Sequence, residues 1–169
     1  KVIKNLIETA KKNNDTSVLL TLFPHPRMVL QKDTSIKLIN TIDERIILLE
    51  KTGLETLVIQ EFSQNFAELS ALEFVKTILV STLKIAELII GYDHRFGKSR
   101  EGNFQKLQEL GEIYNFKVRE ISKQDISNIT VSSTKIRKAI ENGEMEKANS
   151  YLGYHFMLTG KVVKGENLG

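Results

Sequence analysis

Cysteine is absent from the 169-residue chain, which removes both a disulfide framework and thiolate chemistry. Histidine is nearly absent: His25, His94 and His155 are the three available for metal binding or acid–base work, so a structural zinc site is not expected. No apolar run approaches the ~18 residues that a membrane-spanning helix needs, and the N-terminal residues do not follow the charged-then-apolar order of a signal peptide. A cytoplasmic protein without a membrane partner is expected. Internal repeats and low-complexity tracts are missing as well. So are three familiar devices of nucleotide and metal chemistry, namely GxxxxGK[ST], GxGxxG and HExxH. Charge of one sign is also scarce: 24 Lys and Arg stand against 21 Asp and Glu, a net +3. That excess is too small, and too mixed with acids along each helix, to point to nucleic acid. It suits a small polyanionic ligand.

What is present is an alternation. KVIKNLIETAKKNND places Val2, Ile3, Leu6, Ile7 and Ala10 on one helical stripe, with the period already running at the first residue and no capping residue before it. Ser17–Phe23 reads as a buried strand stopping at Pro24, and the PHPRMVLQKD that follows reads as a loop. Asp43–Lys51 predicts a helix closed near Gly53, Thr56–Phe62 a second buried strand, and Ser70–Leu83 a helix with Leu72, Val75, Ile78 and Leu79 on one face. Ala86–Tyr92 reads as a third strand, Asn103–Tyr114 as a helix, and Phe116–Ser122 as a fourth strand. A helix over Ser133–Glu141, a turn at Gly143 and a short helix ending near Leu152 and Gly153 follow. Strands alternating with helices imply an α/β fold, a parallel sheet covered on both faces in a Rossmann-like sandwich. In such sheets ligands bind beyond the carboxyl ends of the strands, so the loops after strands are where function is sought. The final YHFMLTGKVVKGENLG departs from the pattern. Its composition and glycine turns are those of strands, as if a β-rich domain opened there.

Three loops stand out. In VSSTKIRKAI, three hydroxyls (Ser132, Ser133, Thr134) run into a cationic helix start. One hydroxyl suffices to cap a helix. Three hydroxyls, free N–H groups at a positive helix end and Arg137 together also make a seat for phosphate oxygens. In GYDHRFGKSREG, glycines surround Asp93, His94, Arg95, Phe96, Lys98 and Arg100. A surface turn needs no phenylalanine among charges, and a ligand loop would use Phe96 against a flat ring and Asp93 for a ribose hydroxyl or an ion. The alternative is a solvated turn with Phe96 tucked into the core. In LFPHPRMVL, Pro24 and Pro26 stiffen the backbone around His25, which suits a pocket wall or an ordinary stiff turn. Both readings of each loop stand on spacing alone.

Taken together, TLFPHPRMVL, GYDHRFGKSREGN and VSSTKIRKAI, in this order and ahead of YLGYHFMLTGKVVKGENLG, resemble the adenylyltransferase module of bacterial bifunctional riboflavin kinase/FMN adenylyltransferases, the FAD synthetases. The resemblance covers essentially the whole chain. It implies a nucleotidyltransferase domain over residues 1–153 lacking its first strand, and the first strands of a riboflavin kinase β-barrel over 154–169. It implies transfer of the adenylyl group of ATP to FMN, giving FAD and pyrophosphate with Mg2+ assistance and no covalent intermediate. Ser132, Ser133, Thr134 and Arg137 would then hold the β- and γ-phosphates, with Ser133, Thr134 and Arg137 acting in catalysis. Asp93 would lie near the nucleotide, and Pro24, His25, Pro26 and Phe96 would line the flavin side.

Two departures bear on that expectation. The family's HxGH motif, which contacts the ATP phosphates, is not in these 169 residues, and the helix that follows it in the family matches KVIKNLIETAKK. A polypeptide beginning at Lys1 is therefore expected to show negligible adenylyl transfer. His94 stands where family members often carry an aromatic ring, and no acid–base role is assigned to it. The 154–169 stretch lacks the residues that would complete a kinase site, so riboflavin phosphorylation is expected only of a longer parent. Competing readings are a nucleotidyltransferase of the same fold with another acceptor (pantetheine phosphate, nicotinamide mononucleotide or a phospho-alcohol) and a non-catalytic nucleotide-binding module.

Overall fold

A computed structural model of the chain describes residues 2–32, 35–121 and 132–165. Lys1, Ser122, Val131 and the last four residues, which the sequence reading included, lie outside the described residues. The chain divides into two compact units, one from residues 1–36 and 52–130, the other from 37–51 and 131–169.

The first unit begins with α1 (Val2–Asn13), whose stripe buries Ile7 and Ala10, and passes to β1 (Val18–Phe23). After β1 the expected loop contains a short helix, α2 (Pro26–Leu30). Pro26 at its first position has no N–H to lose there, and its fixed φ suits a helix start, so the proline that argued for a loop nucleates the turn. The second unit contributes α3 (Ile42–Glu50) next in the sequence. The first unit resumes with β2 (Thr56–Glu61), α4 (Gln64–Ala67) and α5 (Ala71–Phe74), which runs straight into a π-helix over Val75–Thr82. The wider π turns are matched by side-chain bonds five residues apart: the Ser81 hydroxyl donates to the Lys76 carbonyl at 2.7 Å and Thr82 to Thr77 at 2.8 Å. Strand β3 (Glu87–Gly91), helix α6 (Phe104–Tyr114) and strand β4 (Lys117–Ile121) complete the unit.

The four strands are parallel, as expected, but among the described residues they form two pairs rather than one ladder. β1 pairs with β2, in register Val18 to Thr56, and β3 pairs with β4, in register Glu87 to Lys117. Ser17 and Glu55 lock the first register. Glu55 Oε2 accepts from the Ser17 N–H at 2.8 Å and from its hydroxyl at 2.9 Å, while Ser17 Oγ accepts the Glu55 N–H at 3.1 Å. Helices cover both faces of β3–β4. Val118 packs on Gly111 of α6, where an added Cβ would meet Val118 at 3.3 Å, while Arg119, one residue along and so on the opposite face, donates to Thr9 of α1 at 3.2 Å. The core lies on the α6 side, where Val75, Leu79, Ile90, Leu107, Leu110 and Phe116 cluster, Val75 and Leu107 at 0 % and 1 % exposure.

β1 was expected to be buried, yet all six of its residues are only half-buried. The reason is a cavity of about 830 Å³ inside this unit. Its walls include Val18, Leu19 and Leu20 in succession from β1, and Glu87, Leu88, Ile89 and Ile90 in succession from β3. Successive residues of a strand point to opposite faces. A cavity touched by all of them lies along the strand's edge, so this space separates β1 from β3 edge to edge.

In the second unit, α7 (Ser133–Glu141) buries Ile136 and Ala139, and α8 (Met145–Leu152) buries Ala148 completely. Glu44 of α3 is itself buried, at 3 % exposure. Its carboxylate accepts the N–H of Thr41 at 3.0 Å, closing a capping box, and the N–H of Thr159 at 2.9 Å. The tail of this unit was expected to be strand. Residues 154–165 form none, which agrees with the need of a strand for a partner before it is stable.

Candidate functional site

In the first unit the loops that follow β1 and β3 open onto the same cavity. Pro26 and Arg27 after β1, and His94, Arg95 and Phe96 after β3, all line it beyond the carboxyl ends of the strands. Two of the three sequence-predicted loops are thereby brought together. Pro24 and His25 lie immediately before Pro26, and the Phe23–Pro24 peptide is cis. His25 is occupied structurally, since its Nδ1 accepts the Arg27 N–H at 3.2 Å and caps α2.

Phe96 is neither a loose surface ring nor a lone one. It lies 5.5 Å from Phe74 and stacks on His94 at 5.9 Å with 18° between planes. Phe74 continues to Phe66 at 6.0 Å and Phe66 to Phe62 at 5.7 Å, both edge-on, so aromatic rings run in a row to the cavity. This row was missed in the sequence because its members sit on α4, α5 and two different loops. The loop carrying Phe96 folds back on itself. Phe96 and Gly102 form an antiparallel bridge, and a Cβ on Gly102 would fall 2.5 Å from the Phe96 ring, so the ring needs a glycine beneath it.

Asp93 lines a separate polar cavity of about 590 Å³ with His94, Arg95, Arg100, Asn103 and Glu120. The His94 imidazole, exposed on one side, is held below its ordinary pKa chiefly by desolvation; Asp93 opposes that shift and Arg100 adds to it. Neutral imidazole at physiological pH gives His94 the character of a flat stacking ring. Among the described residues no group of three or more His, Asp or Glu stands together as a metal cage. A magnesium ion carried by phosphates needs only one or two carboxylates, and Asp93 and Glu120 share this cavity.

In the second unit, Ser132 caps α7, its hydroxyl accepting the Lys135 N–H at 3.3 Å. Ser133 accepts from Arg137 Nη1 at 3.3 Å, and Arg137 Nε donates to the Lys37 carbonyl at 2.6 Å. Ser132, Ser133 and Thr134 are exposed and Arg137 is half-buried. One hydroxyl therefore caps, a second steadies the guanidinium one turn later, and the first turn of α7 presents alcohols and backbone N–H groups outward.

A family model described as FAD synthetase matches residues 1–135. The chain belongs to the FAD synthetase family. Its curated relatives include bifunctional riboflavin kinase/FMN adenylyltransferases from Buchnera aphidicola subsp. Schizaphis graminum, 39% identical over all of this chain and 54% of the relative, and from Escherichia coli K12, 30% identical over 99% of this chain and 54% of the relative. The Listeria monocytogenes relative of the same name is 32% identical over 99% and 53%. The chain spans about half the length of the curated relatives it matches. Among solved structures, a Streptococcus pneumoniae chain described as a macrolide-efflux protein superposes with a TM-score of 0.71 at 23% identity, over 92% of this chain and 50% of that one. That likeness concerns the fold alone. Among the described residues no helix is long and apolar enough to cross a membrane.

Proposed function

We propose that this chain forms the adenylyl-transfer site of an FAD synthetase. A 5′-phosphate oxygen of FMN attacks the α-phosphorus of ATP, the bond from that phosphorus to the bridging oxygen of the β-phosphate breaks, and FAD and pyrophosphate result. The observation that carries the reading is the convergence of the Pro26 and Phe96 loops on one aromatic-walled opening beyond parallel strand ends, in a chain of this family. Phe96, Pro24, His25 and Pro26 serve the flavin side, and Asp93 the nucleotide. Ser132, Ser133, Thr134 and Arg137 hold the β- and γ-phosphates, where a positive helix end, outward N–H groups and a guanidinium meet the charge that builds on the leaving group. Catalysis is then positioning and charge stabilisation. Mg2+, which Asp93 and Glu120 would help to hold, supplies further neutralisation of phosphate charge when bound.

The domain reading follows the same line. Residues 1–153 are the nucleotidyltransferase part, and a further strand, supplied from before α1, belongs in the space between β1 and β3. What supports this is the edge-on cavity and the βαβ logic by which a helix such as α1 connects two neighbouring parallel strands. Residues 154–169 open a riboflavin kinase barrel, and a full-length chain also phosphorylates riboflavin to FMN, in keeping with the relatives' names.

Paired substitutions in a chain of the relatives' full length test the assignment. Arg137→Ala removes a charged hydrogen-bond donor and is expected to raise the KM for ATP roughly tenfold or more while FMN affinity, read by flavin fluorescence, stays near wild type. Phe96→Ala is expected to weaken FMN and leave ATP use alone. Equal loss of both substrates in either variant, or turnover with another phosphorylated acceptor in place of FMN, would overturn the reading.

A further inference from the structure

The segment after Phe96 adopts a conformation that its own sequence does not favour. Gly97 has φ +73°, and the next two turn residues with positive φ, Ser99 at 53° and Arg100 at 61°, are not glycines. L-residues in this region are strained, so something outside the segment holds it. The structure shows what does. The Lys98 N–H donates to the Leu69 carbonyl at 2.7 Å, and Lys98 Nζ pairs with Glu68 at 2.6 Å. Gly97 lies so close to the start of α5 that a Cβ would stand 2.7 Å from the Ala71 nitrogen. Glu101 Oε1 accepts the N–H of that same Ala71 at 2.7 Å, a carboxylate set on a helix N-terminus, where the helix dipole strengthens the bond. Phe74, whose ring touches Phe96, lies one turn further along α5.

We propose that Glu101 is the positioning residue of the flavin-contacting ring. Its carboxylate clasps the strained 97–102 loop to the first turn of α5 and so fixes Phe96 against Phe74, over Gly102. Two fixed points bracket the ring. Gly102 carries the bridge to the Phe96 backbone, and Glu101, its chain neighbour, carries the link to the helix that presents Phe74. Releasing Glu101 frees the loop at the position next to that bridge without removing an apolar side chain from the core cluster against which Phe74 and Phe96 pack. Glu101 touches no substrate in this scheme and acts only through Phe96. The inference rests on the proposed contact of Phe96 with FMN.

A double-mutant cycle in the full-length chain tests it, reading FMN affinity by fluorescence, the KM for ATP and thermal stability. Glu101→Ala is expected to weaken FMN about fivefold, the loss of one capping bond expressed as affinity. ATP use is expected to stay within about twofold. Glu101→Gln keeps an oxygen acceptor for the Ala71 N–H and restores most of the affinity. In the Phe96→Ala background, Glu101→Ala adds nothing further for FMN. Equal loss for ATP and FMN, or the same factor with and without Phe96, makes Glu101 a merely structural residue and overturns the proposal. If Phe96→Ala weakens FMN and Glu101→Ala does not, the clasp alone fails; if Phe96→Ala leaves FMN affinity unchanged, the flavin contact itself fails and the clasp with it.

Discussion

At the scale of single residues, the informative side chains are those whose surroundings change their chemistry. His94 stacks on Phe96 and, though exposed on one side, is desolvated enough by its surroundings to hold its pKa below the ordinary 6.5. The sign of the consequence is fixed by linkage. The folded form binds this proton less readily than the unfolded form, so stability is unaffected well above 6.5 and declines as pH falls from about 6.5 through the lowered folded value. NMR titration of the His94 ring is expected to give a midpoint below 6.5, moving up in Arg100→Ala and further down in Asp93→Asn. A midpoint at or above 6.5 would remove the stacked, neutral imidazole from the site. The sequence made Phe96 legible because a phenylalanine among charges and glycines is chemically out of place. Glu101 was not legible, since its partner, the Ala71 N–H, lies 30 residues away and carries no side-chain signal. The anchoring of Arg137 to the Lys37 carbonyl, 100 residues away, was hidden in the same manner.

At the scale of elements, local patterns held wherever a cap or a period settled the matter. Asn103 accepts the Lys106 N–H and starts α6 where the sequence placed it, and Ser70 and Glu73 form a capping box at the head of α5. What periodicity could not show was the kind of helix. An apolar stripe over residues 72–79 fits α and π turns alike, and Ser81 and Thr82, which bond back five residues along the π segment, carry no periodic signal of it. The α2 helix escaped because its five residues are too few for a period. The capping box at α3 gives a quantitative test. Thr41→Ala removes the acceptor of the Glu44 N–H, 3.2 Å away, and is expected to cost about 1 kcal/mol of stability in urea unfolding. Glu44 adds a pH dependence. The Thr41 N–H, before the Thr159 N–H, holds its carboxyl below the ordinary value of 4.5, so its contribution is present above that value and lost as pH falls through the lowered one. A stability unchanged in Thr41→Ala would mean that burial alone secures α3.

At the scale of the whole molecule, the sequence announced four parallel strands but not their division into two pairs. Strand composition reports that both faces of a strand are covered and is silent about its edges. The inner edges carry that division: among the described residues, β1 and β3 each have a β neighbour on one side and the 830 Å³ cavity on the other. A strand inserted there, parallel to both, would give the order β2, β1, inserted strand, β3, β4. Counted from the inserted strand, that is the 3-2-1-4-5 order of a doubly wound sheet, with its switch point, between the inserted strand and β3, under the Pro26 and Phe96 loops. Edge amides without a ladder partner exchange with solvent far faster than central ones. In the 169-residue chain, the β1 and β3 amides that point into the cavity are therefore expected to exchange as edge amides do. Extending the chain upstream of Lys1 by the relatives' corresponding segment is expected to slow those amides by roughly a hundredfold or more, while the amides paired between β1 and β2 change far less. The same extension should raise the cooperativity of unfolding, because one continuous sheet replaces two short ones that each lack a covered edge. Unchanged exchange along both inner edges in the extended chain would mean that the cavity is not a strand site.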